Sequence, residues 1–591
     1  MMKKARLALL VAALSLLATA LLPVNATATW APNQYFIGVG SSAQFNTYAL
    51  AMGQPGAAAS GANPYCGSNY WTYNGTLGTN GIEVVDPRSG TIPHEIGKAI
   101  VVWDSNAANA VSGEGIVCVL VSLDSTVGTR LFFANATIQL NSASGAASQT
   151  NTVPFMTAGT TLNANVAAWL QTGPTVTAAL TDIRPEDSAF ATVRALTSPA
   201  GTQVPNYYFT GQGYGNAPKG AVIYSSQSGA SMQTVQFAID SRDTDPWTGS
   251  APRNYSVTNI GAAPVMVIRN NTQTGSGHLG NANYVDFNRF GLAQAITGNY
   301  THIRQLSHQA SGTETDVALH VFIREPLSGT FNVMEYCIAL DQELYPYPTA
   351  WINFGQESGV NPALHTNCTT GPCSSENGNP YYHIFSNGGY RGRVIGTGEM
   401  ISTVNSTADS LGYAFWGYGN FSNKTSVSYS TVDSVDPLFS YPTARTDGLA
   451  TYLMPQCTSL PCGTLTFPNI ANGTYPIWTI YRLVYDPASN TGNNLNMVTG
   501  LINYVQDTAG YSAFDFLSTV NPSTGNPNLF VFRSHYAQVD MLNGDAQYPN
   551  NGIVPSGNSE KGGDVGGAVL TVQSEVDYYT DTGNNQINLR Q

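Results

Sequence analysis

Val321-Phe322-Ile323-Arg324-Glu325-Pro326-Leu327-Ser328-Gly329-Thr330-Phe331 is the stretch on which the reading of this chain turns. The β-branched and aromatic residues predict a strand that runs into Arg324. A short turn then leads to Ser328-Gly329-Thr330, which opens a helix. The first-turn N–H groups of such a helix have no internal partners and carry the positive end of its dipole. The Ser and Thr hydroxyls add donors, and Gly329 lets a ligand approach the backbone. Arg324 supplies a planar, permanently charged fork suited to a bidentate oxyanion. Together these residues describe an anion site; an ordinary Ser/Thr helix cap beside a surface arginine is the plainer alternative.

Two other segments tilt the balance. Gly38-Val39-Gly40-Ser41-Ser42-Ala43-Gln44-Phe45 follows a strand pattern and starts a helix, which makes a second nest of free amides. Leu180-Thr181-Asp182 ends a β-type run and puts a carboxylate in a turn. Further strands are expected at Gln34–Gly38, Ala99–Trp103, Ile116–Val121, Pro264–Ile268, Val317–Ile323 and Thr479–Tyr485. Helices are expected at Gln44–Ala51, Phe287–Ile296, Phe331–Leu344, Gly396–Val404 and Leu495–Val505. Strands followed closely by helices predict α/β units. Gly/Ser/Thr/Asn-rich stretches such as Asn141–Ala158 and Gly355–Gly389 read as loops or small β insertions on that frame. No repeat of fixed period is visible.

The composition sets bounds on partners. Of the 591 residues, 42% are hydrophobic, enough for a sizeable core, and only 10% are charged, so the polar surface must be built from uncharged side chains. The net charge is -13. Nucleic acids and anionic membranes both need basic patches, so neither is expected as a partner. Lys3, Lys4 and Arg6 precede the apolar run Leu7 to Leu22, and Ala26-Thr27-Ala28 is a small-x-small site. This predicts a secretory signal peptide over 1–28, cleaved after Ala28, and a periplasmic or extracellular protein. No later stretch reaches 18 unbroken apolar residues, so no membrane span is expected.

Seven cysteines suit an oxidising compartment. Cys368/Cys373 and Cys457/Cys462 share a spacing and a turn-forming proline, which predicts two local disulfides; a zinc site is the competing reading. Cys66 and Cys118 are then left to pair, and Cys337 is expected as a buried free thiol. Common catalytic signatures are missing: the sequence has no G-x-S-x-G elbow, no H-E-x-x-H and no P-loop. The eight histidines lack ligand spacing. Neither an enzyme nor a metal or other cofactor is expected.

Taken in order, the motifs resemble those of the phosphate-binding proteins of ABC importers, within the type II periplasmic binding proteins. The resemblance runs through Gly40–Phe45, Thr181-Asp182, Arg324 with Ser328-Gly329-Thr330, Gly396-Thr397-Gly398, Leu411-Gly412-Tyr413 and Tyr475-Pro476-Ile477. The family's Ser-rich turn has its best counterpart in Asp124-Ser125-Thr126-Val127-Gly128. Gln44 stands where the family has Ser or Thr.

The resemblance implies a two-lobed α/β protein with a hinge and β/loop-rich insertions. Lobe one would comprise 29–262 with 476–591, and lobe two 263–475. The crossing strands would lie near Pro264–Ile268 and Tyr475–Thr479, with insertions at 46–123, 185–260, 355–390 and the tail. It implies phosphate or a related oxyanion as ligand. Gln44, Phe45, Ser125 and Asp182 would hold it from one lobe, and Arg324, Ser328, Gly329 and Thr330 from the other. It also implies an ABC permease as partner. By this logic Asp182 accepts a proton from the ligand and so rejects fully ionised sulfate. A surface structural or adhesive protein that reuses the fold is the alternative, favoured by the long polar stretches. A secreted hydrolase is disfavoured by the missing catalytic constellation.

Overall fold

Continuous apolar runs such as Ile116-Val117-Cys118-Val119-Leu120-Val121 mark strands covered on both faces, which is how parallel strands in an α/β sheet read. The computed structural model describes residues 30–183, 256–338, 383–440, 452–487, 493–506 and 515–518, apart from short stretches within these ranges. The strands begin with β1 (Gln34–Ser41), β2 (Asn69–Asn74), β3 (Lys98–Trp103), β4 (Ile116–Leu123) and β5 (Ala178–Thr181). The long β6 (Ser256–Asn270) follows. Next come β7 (His320–Arg324), β8 (His383–Ile384), β9 (Tyr390–Val394), β10 (Ser410–Phe415) and β11 (Val427–Val432), and the chain returns through β12 (Trp478–Tyr485). The main helices are α1 (Phe45–Gly53), α2 (Ser125–Phe133), α3 (Ala164–Gln171), α4 (Arg289–Ile296), α5 (Gly329–Met334), α6 (Gly396–Ser406) and α7 (Asn493–Gln506).

The main path of the sheet runs β8-β9-β7-β10-β6-β12-β5-β1-β4-β3-β2. It contains two parallel patches, β5-β1-β4 and β9-β7-β10. Antiparallel strands lie between them. β6 pairs with β12 over Ser256–Pro264 and with β10 over Val265–Arg269, so one strand serves both halves. The partner change falls at Pro264, which has no N–H to give to a ladder. Ile477 O accepts from Val265 N at 2.9 Å, and Pro264 O accepts from Trp416 N at 3.0 Å. The result is a mixed α/β, two-lobed arrangement, as the motifs led one to expect.

One large apolar cluster runs through both halves, and it includes Phe36, Phe45, Met266, Phe331, Tyr413 and Trp478. A second fills the other face of the first half, around Trp71, Val101, Val119 and Phe132. Fully burying one such side chain contributes about 1.5–3 kcal/mol, and with so few charges these two cores carry most of the stabilisation.

Residues 46–123, expected to be an insertion, instead supply α1 and three strands of the main sheet, with β4 in register beside β1 along its whole length. Cys66–Cys118 and Cys457–Cys462 are bonded pairs, and Cys337 is buried and takes part in no disulfide. Cys368, Cys373 and most of the segments 185–260 and 355–390 lie outside the described residues, as does the tail. Of the expected helix at Phe331–Leu344, Phe331–Met334 falls in α5, and the part from residue 339 lies outside the described residues.

Candidate functional site

In an open α/β sheet, ligands bind beyond the carboxyl ends of the parallel strands. All eight candidate residues lie there. β1 ends at Ser41, and Ser42-Ala43-Gln44 leads into α1. Gly40 makes this turn possible: its φ is +127°, and a Cβ there would sit 2.2 Å from Leu180 O. β4 ends one residue before Asp124, and Ser125 opens α2; β5 ends at Thr181, and Asp182 follows. On the other half β7 ends at Arg324, Ser328 precedes α5, and α6 starts just beyond β9.

These two sets of strand ends face each other. Arg324 Nη2 donates to Asp124 Oδ1 at 2.9 Å, an ion pair buried on both sides that joins the two halves. Arg324 Nη1 lies 3.4 Å from the hydroxyls of Thr330 and Thr397. Its backbone N–H donates to the Tyr413 hydroxyl at 3.0 Å. Ser125 Oγ donates to Asp182 Oδ1, and Asp182 N donates back to Ser125 Oγ at 3.3 Å. Thr479 Oγ1, on β12, donates to Asp182 O at 2.8 Å. Gly329 closes this contact from the opposite half. A methyl group at its α-carbon would lie 2.6 Å from the Asp182 carboxylate and from Ser125 Oγ, so α5 starts directly against that pair.

The structure therefore brings together Ser125, Asp182 and Gly329, and beside them Arg324 and Thr330. Ser328 is buried, its Oγ accepting from Phe331 N at 3.4 Å and its carbonyl from Asn332 Nδ2 at 2.8 Å. The ring of Phe45 is part of the large core cluster, so only its backbone is left for a ligand. Gln44 differs from all of these. It is 1% exposed, and neither its Nε2 nor its Oε1 has a hydrogen-bond partner. The buried Thr126 Oγ1, in the first turn of α2, is also unpartnered. Leaving a buried polar group unpaired costs about 1–3 kcal/mol, and both of these groups lie at helix starts of the first half.

Asp124, Thr126, Thr397 and Tyr413 carry no assigned role in the sequence reading. The first two lie inside the turn counterpart quoted there, and the last two inside its later motifs. What is lacking in the sequence is the pairing, because Asp124 and Arg324 are 200 residues apart.

A second buried acid stands behind the site. Asp515 accepts from Tyr418 N and from Thr47 Oγ1, both at 2.8 Å. Burial pushes its carboxyl up to about 6, and these two hydrogen bonds pull the other way. The Tyr481 phenol is buried and unpartnered; burial first, then the charges of Asp182 and Asp515, hold it well above the ordinary tyrosine range. Among the described residues no group of three His, Cys, Asp or Glu is placed to hold a metal ion. Nor is any described helix long and apolar enough to cross a membrane.

No family model matches this chain, and no curated protein does. Solved structures do. An ancestral soluble variant of the Human Phosphate Binding Protein is 12% identical, covering 82% of this chain and 90% of its own, with a TM-score of 0.32. A phosphate-binding protein from Stenotrophomonas maltophilia is 12% identical over 66% of this chain and 76% of its own, with a TM-score of 0.28. An ABC-type phosphate transport receptor from Vibrio cholerae is 14% identical over 44% of this chain and 68% of its own, with a TM-score of 0.23. With TM-scores this low, the fold assignment rests on the strand order and strand ends described above, and the chain is similar to these proteins only in that coarse sense.

Proposed function

We propose that this chain is an exported solute-binding protein that captures phosphate or a related protonated oxyanion in the cleft between its halves. The observation that carries the reading is the buried, wholly unpartnered amide of Gln44, beyond the end of β1 in the half that faces the Arg324 fork. Arg324 and the hydroxyl of Thr330 would receive the anion from one half, with backbone amides of Ser328 and Gly329. Gln44, the Phe45 backbone and Ser125 would complete the shell from the other. Gln44 offers two donors and an acceptor, so it can meet both the oxygens and the hydrogen of a protonated oxyanion. Asp182 would accept that hydrogen, which disfavours sulfate. The solved structures named above are of phosphate-binding proteins, which agrees with this ligand class. An ABC permease is the partner that this function would call for, and the signal-like leader fits a periplasmic or extracellular site of action.

Titration of the purified chain with phosphate and sulfate tests the reading. Truncating one partner of a desolvated charged contact costs about 2–5 kcal/mol, so Arg324→Ala is expected to weaken phosphate binding by roughly thirtyfold or more. Arg324→Lys recovers only part, because an ammonium cannot make the paired hydrogen bonds. If the wild-type chain binds no oxyanion, or Arg324→Ala binds as well as wild type, the surface structural role takes the place of this one.

A further inference from the structure

Lys98 and Lys424 face the same side of α6 from opposite halves of the molecule. Lys98 opens β3 and pairs in register with Ser122, two residues before Asp124, so it stands at the cleft end of the first half. Its Nζ reaches across to α6 and lies 3.8 Å from where a Cβ on Gly398 would be. Lys424 approaches the next turn, its Nζ 3.4 Å from Ser402 Oγ. Residues 398 and 402 are four apart on the helix and share a face, so the two ammonium groups approach adjacent turns of α6.

Two features of this arrangement are unfavourable without an anion. No carboxylate pairs with the Lys98 ammonium among the described residues, although the chain carries 36 acids against 23 bases. Burial, and after it the charge of Lys424, holds Lys98 below the ordinary lysine range. Two cations that approach adjacent turns of one helix can each donate to a different oxygen of a tetrahedral oxyanion. The neighbouring residue Thr397 has its hydroxyl 3.4 Å from Arg324 Nη1, so this rim is one residue removed from the group contacting the guanidinium.

We propose that Lys98, Lys424 and Ser402 form a second oxyanion subsite at the rim of the cleft, which takes the distal phosphoryl group of a condensed phosphate whose proximal group lies at Arg324. The proposal rests on the cleft reading above and extends it from a single oxyanion to a linked pair. Because the two lysines come from opposite halves, their mutual repulsion opposes approach of the halves when the rim is empty, and a bound phosphoryl group turns it into a bridge.

Calorimetric titration of the purified chain with orthophosphate and with diphosphate, at one ionic strength, tests this. Wild type is expected to bind diphosphate at least about tenfold tighter than orthophosphate. Lys98→Gln and Lys424→Gln should each cut that ratio to about twofold or less while leaving orthophosphate affinity within about twofold, and Lys98→Arg should keep the advantage. A wild-type ratio near one, or a ratio unchanged in Lys98→Gln, overturns the rim subsite and leaves the Arg324 site standing. If orthophosphate does not bind but diphosphate does, and Lys98→Gln weakens it, the single-oxyanion reading falls and the linked pair stands. If neither anion binds, both fall.

Discussion

A methyl group added at residue 329 has nowhere to go. It would meet the Asp182 carboxylate and Ser125 Oγ at 2.6 Å, and these belong to the opposite half of the molecule. Relief requires the start of α5 to move back, which also moves Thr330 away from Arg324. Gly329→Ala is therefore expected to weaken oxyanion binding by roughly tenfold or more, on the scale of about 1–3 kcal/mol for overpacking a tight contact. Folding should be nearly normal, because the clash can be relieved by opening the cleft. Titration with phosphate, with the melting temperature measured alongside, checks this; unchanged affinity would mean that the two halves do not need this contact to hold a ligand. The candidate residues could be picked out because each sits in a short local pattern, such as Arg324 with Ser328-Gly329-Thr330. Their partners were not. Asp124 meets Arg324 only through folding, and nothing near residue 124 announces a guanidinium 200 positions on.

The elements were more legible than their pairing. β3 and β4 could be read from Ala99–Trp103 and Ile116–Val121, yet 46–123 read as an insertion. The reason is physical: β4 lies parallel to β1, and parallel partners are joined by long connections that leave no turn signal between them. The contact of residues 515–518 with α1 was likewise invisible, because it depends on one buried acid. Asp515 links α1, through Thr47, to the backbone of Tyr418. Its carboxyl stands near 6 in the folded chain against 3.8 as its ordinary value. A raised acid binds its proton more tightly when folded, so this group's stabilising contribution is fully present below pH 3.8 and is lost as pH rises through about 6. The difference amounts to something on the order of 3 kcal/mol. Asp515→Asn is expected to be more stable than wild type at pH 7 and to lose that advantage by pH 4. Denaturant melts of both proteins across this range check it; parallel pH profiles would show that Asp515 is ionised without cost.

At the scale of the whole molecule, covalent links and topology pull together. Cys66–Cys118 closes a loop of 52 residues that contains β2 and β3, whereas Cys457–Cys462 closes one of five. In the chain-entropy account the longer loop contributes about 4 kcal/mol and the shorter about 2. Replacing Cys66 and Cys118 by serine should therefore lower the melting temperature more than replacing Cys457 and Cys462, and equal losses in calorimetry would count against the loop-length argument. β6 has a different consequence. Its first part, Ser256–Pro264, pairs with β12, and its second part lies between β10 on one edge and β11 on the other; all three are encoded more than 130 residues later. Such non-local pairing is slow to nucleate, since the closure entropy is lost before any contact repays it. As the chain is synthesised or threaded through a pore amino end first, β6 has no partner until residue 415 has emerged, and its first part does not meet β12 until residue 485. Before the first of these β6 is a strand of 15 residues with both edges open, and shielding it is a task for whatever meets the chain before it is complete.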